Sequence, residues 1–448
     1  MRARLRHTFR SLAVRNFRLF AIGQVLSVSG TWMMVVAQDW LVLSLTDDSA
    51  TALGAVTAAQ FTPVLLLTLY GGRLADRHDK RRLLILCNSV SGGCALVLAL
   101  LDLGGALKLW HVFAFALCLG TVNAVEVPTR MSFVSEMVGP DLLPNASSLS
   151  AVYFNLARVL GPAAAGALIA ASGTGTVMAL NAASYPAVVA GLCMMRTAEL
   201  TRAPRDATAR LTDGLRHLAA RPDLVAPMAL VLFVGLFGMN FHLTLPLLAK
   251  TVFHADAASF GLLTTAFAAG SLLGGLAGTA RRGRPSARTV TGAALAFCAL
   301  ETATGWAPTF AVAAVLLTAT GFATIYFAQA ANHRIQLGSD PRYRGRVLAV
   351  YTLVMQGTTP LGGLLVGWLS ARLGARSGLY TGGLASLAAT LAVMAVVRLR
   401  ERRAAPAEAT SAKAEPPSAT AEPPSAKAPE AFRADRQPGA VQPADAPD

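Results

Sequence analysis

The feature that most constrains this chain is the alternation of long apolar runs with short arginine-rich clusters. Twelve apolar runs of about twenty residues or more follow one another between residues 17 and 398. Each is long enough to cross a hydrocarbon core of ~30 Å as an α-helix that rises about 1.5 Å per residue. Of the 448 residues, 54% are apolar and only 14% are charged, which is more apolar surface than the cores of a soluble protein bury. The sequence therefore predicts an all-α integral membrane protein and excludes a soluble multidomain enzyme.

The apolar runs predict twelve transmembrane helices in two groups of six. The predicted spans are 17–45, 51–73, 83–103, 109–129, 145–171, 175–195, 224–252, 257–280, 288–306, 309–332, 346–371 and 376–398. We expect a cytoplasmic N-terminal tail at 1–16, an N-terminal six-helix bundle at 17–195, a cytoplasmic linker at 196–223 and a C-terminal six-helix bundle at 224–398. The remaining segment, 399–448, is rich in Ala, Pro, Glu and Ser, and this composition predicts a disordered cytoplasmic tail.

The basic residues predict the orientation in the membrane. If the N-terminus is cytoplasmic, 30 of the 39 Lys and Arg residues fall on the cytoplasmic side of the spans and four fall outside. The positive-inside rule favours this arrangement, with both termini in the cytoplasm of a multi-pass plasma-membrane protein. The net charge of +15 lies in these loops rather than in one surface stripe, so we expect contact with the lipid bilayer and not with nucleic acid.

The two halves of the chain show an internal repeat. Tyr153 precedes Pro162 by nine residues, and Tyr351 precedes Pro360 by the same distance, at an offset of 198. The pairs Gly71-Gly72 and Gly274-Gly275 each precede a basic loop, at an offset of 203. These offsets predict a duplicated six-helix unit, and duplicated halves with a site at their interface are typical of secondary transporters.

The loop between the second and third predicted spans carries the most specific motif. Its sequence is Gly-Arg-Leu-Ala-Asp-Arg-His-Asp-Lys-Arg-Arg-Leu, from Gly72 to Leu83. Gly72 would allow two helix ends to approach closely, and Asp76 could pair with an arginine or cap a facing helix. The segment resembles the loop signature of the major facilitator superfamily, with Asp79 in place of the usual second glycine. The resemblance implies a conformational latch formed by Gly72, Asp76, Arg77, Arg81 and Arg130, or by Asp76 with the N-terminus of the eleventh span. Binding of the basic residues to anionic lipid is the alternative.

A second motif lies in the fifth predicted span. Gly161, Pro162 and Gly166 resemble the Gly-Pro signature of drug-exporting members of the superfamily, although Ala157 and Ala165 replace two of its glycines. Small residues at this spacing allow close helix packing and proline bends the helix. We assign the same packing role to Pro360 in the second half.

Two further segments are similar to one branch of the superfamily, the transmembrane secretion effectors related to the enterobactin exporter. They are residues 37–46 and the stretch from 344 to 363. The resemblance covers about residues 10–400. It implies a secondary active exporter of amphipathic small molecules such as a drug, a siderophore or another natural product. It further implies alternating access, an antiport cycle driven by protons, and a monomer.

The few polar residues within the spans are the candidate coupling and substrate residues. Asp39, Glu126 and Arg158 are ionisable groups at membrane depth, where such groups are costly and usually functional. Asp39 is the first candidate for proton binding, because apolar surroundings disfavour its charged form, and Glu126 is the second. The alternative is that Asp39 faces the outer vestibule, stays ionised and pairs with Arg372 or Arg376. Glu126 and Arg158 could instead pair with each other. We expect His242 to be structural and Glu301 to be solvated near the outer end of its span.

Other classes of function find less support in the sequence. The five cysteines form no Cys-x-x-Cys pair or metal-spaced cluster, so we expect no metal and no cofactor. The nucleotide-binding motif Gly-x-x-x-x-Gly-Lys-Ser/Thr is absent, which excludes an ATP-driven pump of that class. A proton-coupled nutrient importer remains an alternative, but it would need more hydrogen-bonding side chains than the apolar lining that we expect. A membrane protein that transports nothing, such as an enzyme, is a third alternative.

Overall fold

The computed structural model describes residues 9–201, 211–219, 221–340 and 343–413, and in these ranges every regular element is a helix. In the first half the helices are α1 (Arg15–Leu45), α2 (Ala50–Arg77), α3 (Lys80–Leu103), the long segment Leu109–Ser172 and α6 (Thr174–Cys193). In the second half they are α7 (Leu211–Ala219), α8 (Pro222–Phe237), α9 (Phe241–Leu247), α10 (Ala257–Ala280), α11 (Ala287–Gly305), α12 (Phe310–Gly338), α13 (Arg344–Leu373) and α14 (Ser377–Lys413). Short 3₁₀ turns cover Arg10–Ala13 and Thr197–Glu199, and a π-helical turn, Leu248–Val252, follows α9.

The segment Leu109–Ser172 contains two helices separated by a break at Gly139, whose φ of 71° is left-handed. We name the parts α4 (109–138) and α5 (140–172). The predicted fourth and fifth spans, 109–129 and 145–171, leave a loop between them. The helices nevertheless continue through it. Pro140 stands in the first turn of α5, where an N–H group would have no partner within the helix, so the missing N–H of proline costs no helical hydrogen bond.

Ten of the described helical segments are long and apolar enough to cross a membrane. Leu109–Ser172 is one of these segments, Pro222–Val252 is another, and the 19-residue α11 is not among them. The predicted all-α membrane fold is confirmed, and the number of twelve spans stays a prediction. Many large apolar side chains point outward along the spans, for example Leu66, Leu86 and Leu96. Such a surface fits contact with lipid rather than with water.

Glycines produce equivalent helix contacts in the two halves. A Cβ atom at Gly71 of α2 would overlap the carbonyl oxygen of Ala124 in α4. In the second half, a Cβ at Gly274 of α10 would overlap the carbonyl oxygen of Phe322 in α12. The second helix of each half therefore packs against the fourth at backbone contact distance, in agreement with the repeated Gly-Gly pairs.

The halves contact each other through two crossed helix pairs. Gly166 of α5 faces Ala257 and Gly261 of α10, and Gly54 of α2 faces Gly363 of α13. The two pairs are equivalent under the internal repeat, because in each pair the second span of one half contacts the fifth span of the other. The loop of Gly72–Leu83 lies at one end of the bundle, which we call the basic end. Both contacts lie toward the opposite end.

The chain segments outside the bundles differ in part from expectation. The linker 196–223 contains a helical turn, the short helix α7 and the start of α8. The predicted tail begins within α14, which continues to Lys413, so 399–413 is helical, and the rest of the tail lies outside the described residues. The predicted span 224–252 is interrupted, because α8 ends at Phe237 and α9 begins only at Phe241.

Candidate functional site

A cavity of about 410 Å³ lies within the first half and reaches the second half at two residues. Its lining follows α1 from Gln24 to Asp39, which is about 22 Å at 1.5 Å per residue. Gln24 and Arg130 line the cavity on the side of the basic end, and Asp39 lies at the opposite extreme. His242 of α9 and Gln356 of α13 are the contributions of the second half.

More than half of the residues that line this cavity carry polar side chains. The amides and hydroxyls include Gln24, Ser27, Thr31, Gln38, Thr57, Gln60, Asn88, Ser91, Asn123, Tyr185 and Gln356. Trp32, Phe61 and Phe154 provide aromatic surface beside them. Most of the lining surface is nevertheless apolar, as expected, and the polar groups are set within it. The few polar residues of the spans are concentrated on the inward faces of α1 to α4, and average composition does not reveal this.

Asp39 stands at the end of the cavity that is farthest from the basic end. Its side chain is buried, at 6% exposure, and no described residue forms a hydrogen bond or ion pair with its carboxyl group. It also lines a smaller cavity of about 60 Å³ between the halves, together with Trp32, Arg158 and His242. An ionisable group without a countercharge beside a cavity is suited to bind and release a proton.

Arg158 does not pair with Glu126. Its guanidinium carbon lies 5.7 Å from the ring centroid of Trp32, in cation–π geometry. Glu126 instead pairs with Arg130, with Oε1 of Glu126 3.4 Å from Nε of Arg130. Because α4 continues past 129, these two residues stand four apart on one helix face. Arg130 also donates to Gln24 Oε1 of α1 at 3.2 Å, so in this conformation it is engaged away from Asp76.

The structure distributes the predicted latch residues among several roles. Asp76 and Arg77 are exposed at the end of α2, and no described side chain pairs with Asp76. Arg81 donates to the carbonyl oxygens of Leu192 and Cys193 at the C-terminus of α6, at 2.5 and 3.0 Å. Gly72 faces open space, and its neighbour Gly71 makes the close helix contact instead. In this conformation these residues do not form one assembled latch.

One ion pair near the basic loop was missed by sequence reasoning. Lys80 at the start of α3 lies 2.5 Å from Glu136 of α4, and both side chains are at most 10% exposed. The predicted fourth span ends at 129, which places Glu136 in a loop instead of a helix. The signal that could have found the pair is the uninterrupted helical spacing from Glu126 through Arg130 to Phe133.

At the end opposite the basic loops, the halves are joined by charge, aromatic and glycine contacts. Nζ of Lys250, in the π-helical turn, lies 2.7 Å from Oδ1 of Asp48 and 5.2 Å from the ring centroid of Trp40. Trp40 stacks on Phe260 of α10, with ring centroids 6.0 Å apart. These contacts, with the packing around Gly166, close the space between the halves beyond Asp39.

The motif of the fifth span takes part in this closure. A Cβ at Gly161 would overlap Trp32 of α1, and the carbonyl oxygen of Pro162 lies against Gly261 of α10. Pro360 is buried in α13, and the glycines two and three residues after it contact Asn240 and Thr57. The motif thus lies where α5 crosses α1 and α10, and Pro360 lies close to the crossing of α13 with α2.

Glu301 was expected to be solvated, and the structure contradicts this. Its side chain in α11 is 1% exposed, because α8 and α14 cover it through Gly238 and Gly382.

His242 lines both cavities at the start of α9. Its side chain is exposed to this space, with the ring centroid 6.4 Å from that of Phe61 in α2. Its structural role stays a prediction, and its position allows contact with a molecule in the cavity. No group of His, Cys, Asp and Glu in the described residues has the arrangement of a metal site.

The family model of the transmembrane secretion effectors matches residues 6–425. The chain belongs to this family, within the major facilitator superfamily. It is a multi-pass membrane transporter and not an enzyme, and the resemblance inferred from the sequence is confirmed.

Three curated relatives are similar over different lengths. The staphyloferrin A transporter of Staphylococcus aureus is 29% identical over 256 residues, which are 54% of this chain and 62% of the relative. The multidrug efflux pump Tap of Mycobacterium tuberculosis is 25% identical over 419 residues, or 87% of this chain and 95% of Tap. The enterobactin exporter EntS of Escherichia coli is 24% identical over 347 residues, or 77% and 83%.

The fold is shared with solved structures of very different sequence. A bacterial homologue of the lysosomal transporter Spinster, solved in an inward-facing and unoccupied conformation, superposes with a TM-score of 0.67 at 14% identity. The match covers 85% of this chain and 95% of the homologue. At this identity the likeness concerns the fold alone, which is that of the major facilitators.

Proposed function

We propose that the transporter is a proton-coupled exporter of amphipathic small molecules that carry hydrogen-bonding groups. The observation that carries this proposal is the cavity that extends from the basic end to Asp39 and is closed beyond it by Asp48, Lys250 and Trp40. The positive-inside rule assigns the basic end to the cytoplasm. The cavity is then accessible to a cytoplasmic substrate and sealed from outside, which is the loading state of an exporter.

Two features of the relatives and the cavity support the substrate class. Tap is a multidrug efflux pump and EntS an enterobactin exporter, and both names denote outward transport of small organic molecules. The aromatic rings of Trp32, Phe61 and Phe154 provide apolar contact, and the amides provide hydrogen bonds. Substrates with both kinds of surface, such as drugs or siderophores, fit this lining.

Asp39 is the group that we assign to proton coupling. It borders both cavities at the point where the two halves meet, so its access to water changes when the outer contacts open. In the antiport cycle, a proton from outside binds Asp39 and is released to the cytoplasm, and substrate occupies the cavity when the proton has left. Arg158 lines the smaller cavity with Asp39.

The latch belongs to the opposite conformation. With the basic end closed, Asp76 would cap the N-terminus of α13 or pair with an arginine. Arg130 is held by Glu126 and Gln24 in the present conformation, which makes the helix N-terminus the preferred partner. We further propose a monomer in the bacterial plasma membrane with both termini cytoplasmic.

Nutrient import is the second candidate, and the hydrogen-bonding side chains among the cavity residues favour it. Export and import are separated by growth in the presence of toxic amphipathic compounds, in a susceptible host with and without the gene. Export predicts a raised inhibitory concentration for at least one compound class and lower cellular accumulation of it. Import predicts greater accumulation and greater sensitivity.

A further inference from the structure

Glu301 is an ionisable side chain that neither the cavity nor the coupling scheme uses. It lies in α11, does not line either cavity, and is 1% exposed. Its Oε2 atom is buried without a hydrogen-bond partner, and no described basic residue pairs with it. An ionised carboxylate without a countercharge is costly at such a position, so this environment favours the neutral acid.

The carboxyl group is held against the interruption of the seventh span. A Cβ atom at Gly238, directly after the end of α8, would lie 2.7 Å from Oε2 of Glu301. A Cβ at Gly382 of α14 would lie 3.2 Å from Oε1 and 2.6 Å from the carbonyl oxygen of Phe237. Gly238 in the interruption and Gly382 of α14 thus leave the room that the carboxyl group occupies.

The interruption leaves backbone carbonyl groups that need donors. A helix that stops exposes its last carbonyl oxygens, and at membrane depth these must find partners within the protein. The side-chain amide of Asn240 donates to the carbonyl oxygens of Leu236 and Phe237, at 3.0 and 3.3 Å. A neutral Glu301 offers one more donor, its O–H group, at the same place.

We propose that Glu301 is a positioning residue that acts as a neutral acid and holds α8 and α9 in register across residues 238–240. The O–H group donates to a carbonyl oxygen of the interruption, and ionisation would replace this donor by an uncompensated charge. Cys298, three residues earlier on α11, is a titratable neighbour of Glu301, and Thr390 of α14 lies beside Cys298. The role rests on the transport function of the fold but not on export or on Asp39.

Infrared spectroscopy of the purified full-length protein tests the protonation state directly. In an Asp39→Asn background, the carbonyl stretch of a buried neutral carboxylic acid is expected at neutral pH, and Glu301→Gln should remove it. If the spectra with and without Glu301→Gln are identical in this region, Glu301 is ionised and the proposal is wrong.

Two substitutions in the otherwise wild-type transporter test the positioning role. Glu301→Gln keeps a donor of similar shape, so transport at neutral pH should stay within about twofold of wild type, whereas Glu301→Leu should lose at least about tenfold. At alkaline pH the wild-type rate should fall and the Glu301→Gln rate should not.

Two results would overturn the proposal. Equal transport by the Gln and Leu variants would show that the side chain at position 301 only fills space. Loss of gradient-driven transport in Glu301→Gln with intact substrate binding would make Glu301 a proton carrier. The infrared measurement decides the question if the Leu variant does not fold.

Discussion

Lys250 of the second half and Asp48 of the first form an ion pair, with Nζ and Oδ1 2.7 Å apart, at the end of the bundle opposite the basic loops. The ammonium group also lies over the ring of Trp40 and pairs with no other described carboxylate. The pair bridges the two halves, so it must break when this end of the transporter opens. It therefore favours one of the two conformations.

Neutralising this pair should shift the conformational equilibrium modestly. The two side chains are 21% and 36% exposed, and such pairs contribute about 1 kcal/mol or less, which is at most about a fivefold shift. We expect Lys250→Met to increase labelling of a cysteine at Thr264, in the smaller cavity, by a membrane-impermeant thiol reagent. Asp47→Asn, which changes the neighbouring exposed carboxylate, is the matched control. An unchanged labelling rate in Lys250→Met would show that the pair does not hold this end closed.

The loop motif should matter only in the conformation that the structure does not show. We expect Asp76→Asn to leave expression and thermal stability unchanged, since Asp76 is exposed here, and to slow transport. Removal of a charge pair from the opposite conformation costs about 1–3 kcal/mol and shifts the equilibrium about ten- to hundredfold. Transport by purified protein in vesicles measures the effect, and Asp76→Glu serves as the charge-preserving control. A wild-type rate for Asp76→Asn would remove Asp76 from the latch.

Adjacent glycines at the end of α2 should differ sharply in their tolerance of substitution. A methyl group at Gly71 would overlap the Ala124 carbonyl, whereas one at Gly72 would meet nothing within 4 Å. We expect Gly71→Ala to lower thermal stability, at a cost of about 1–3 kcal/mol from overpacking, and Gly72→Ala to be neutral. Thermal unfolding in detergent, followed by thiol accessibility or fluorescence, compares the two. Equal melting temperatures would contradict the helix contact described for α2 and α4.

The membrane fold followed from the sequence because the apolar runs and the arginine clusters are one-dimensional signals. Contacts were harder to predict. The pairing of Glu126 with Arg130 and not with Arg158 depends on the length of α4, and hydropathy did not show that α4 continues past residue 129. The burial of Glu301 depends on glycines of two other segments of the chain. Tertiary packing places these residues together, and spacing along one span contains no information about it.

The orientation is testable with single cysteines in a background free of the five native ones. We expect Asp47→Cys to react with an impermeant reagent in intact cells, and His78→Cys to react only after the membrane is permeabilised. Both positions are exposed loop or helix-end residues, so accessibility within the protein does not limit the reaction. Arg205, a further cytoplasmic position by prediction, lies outside the described residues. The reverse labelling pattern would invert the assignment of the basic end to the cytoplasm.

Proton-driven transport by Asp39→Asn, compared with wild type, tests the central claim most directly. In inverted membrane vesicles with an imposed pH gradient, wild-type protein should accumulate a labelled substrate identified by the growth assay. Asp39→Asn should lose gradient-driven accumulation but still bind substrate and equilibrate it down its own gradient, because only the titrating group has been removed. Asp47→Asn, an exposed carboxylate outside the cavities, should behave as wild type. If Asp39→Asn accumulates substrate as wild type does, Asp39 is not the coupling residue and Glu126 becomes the next candidate.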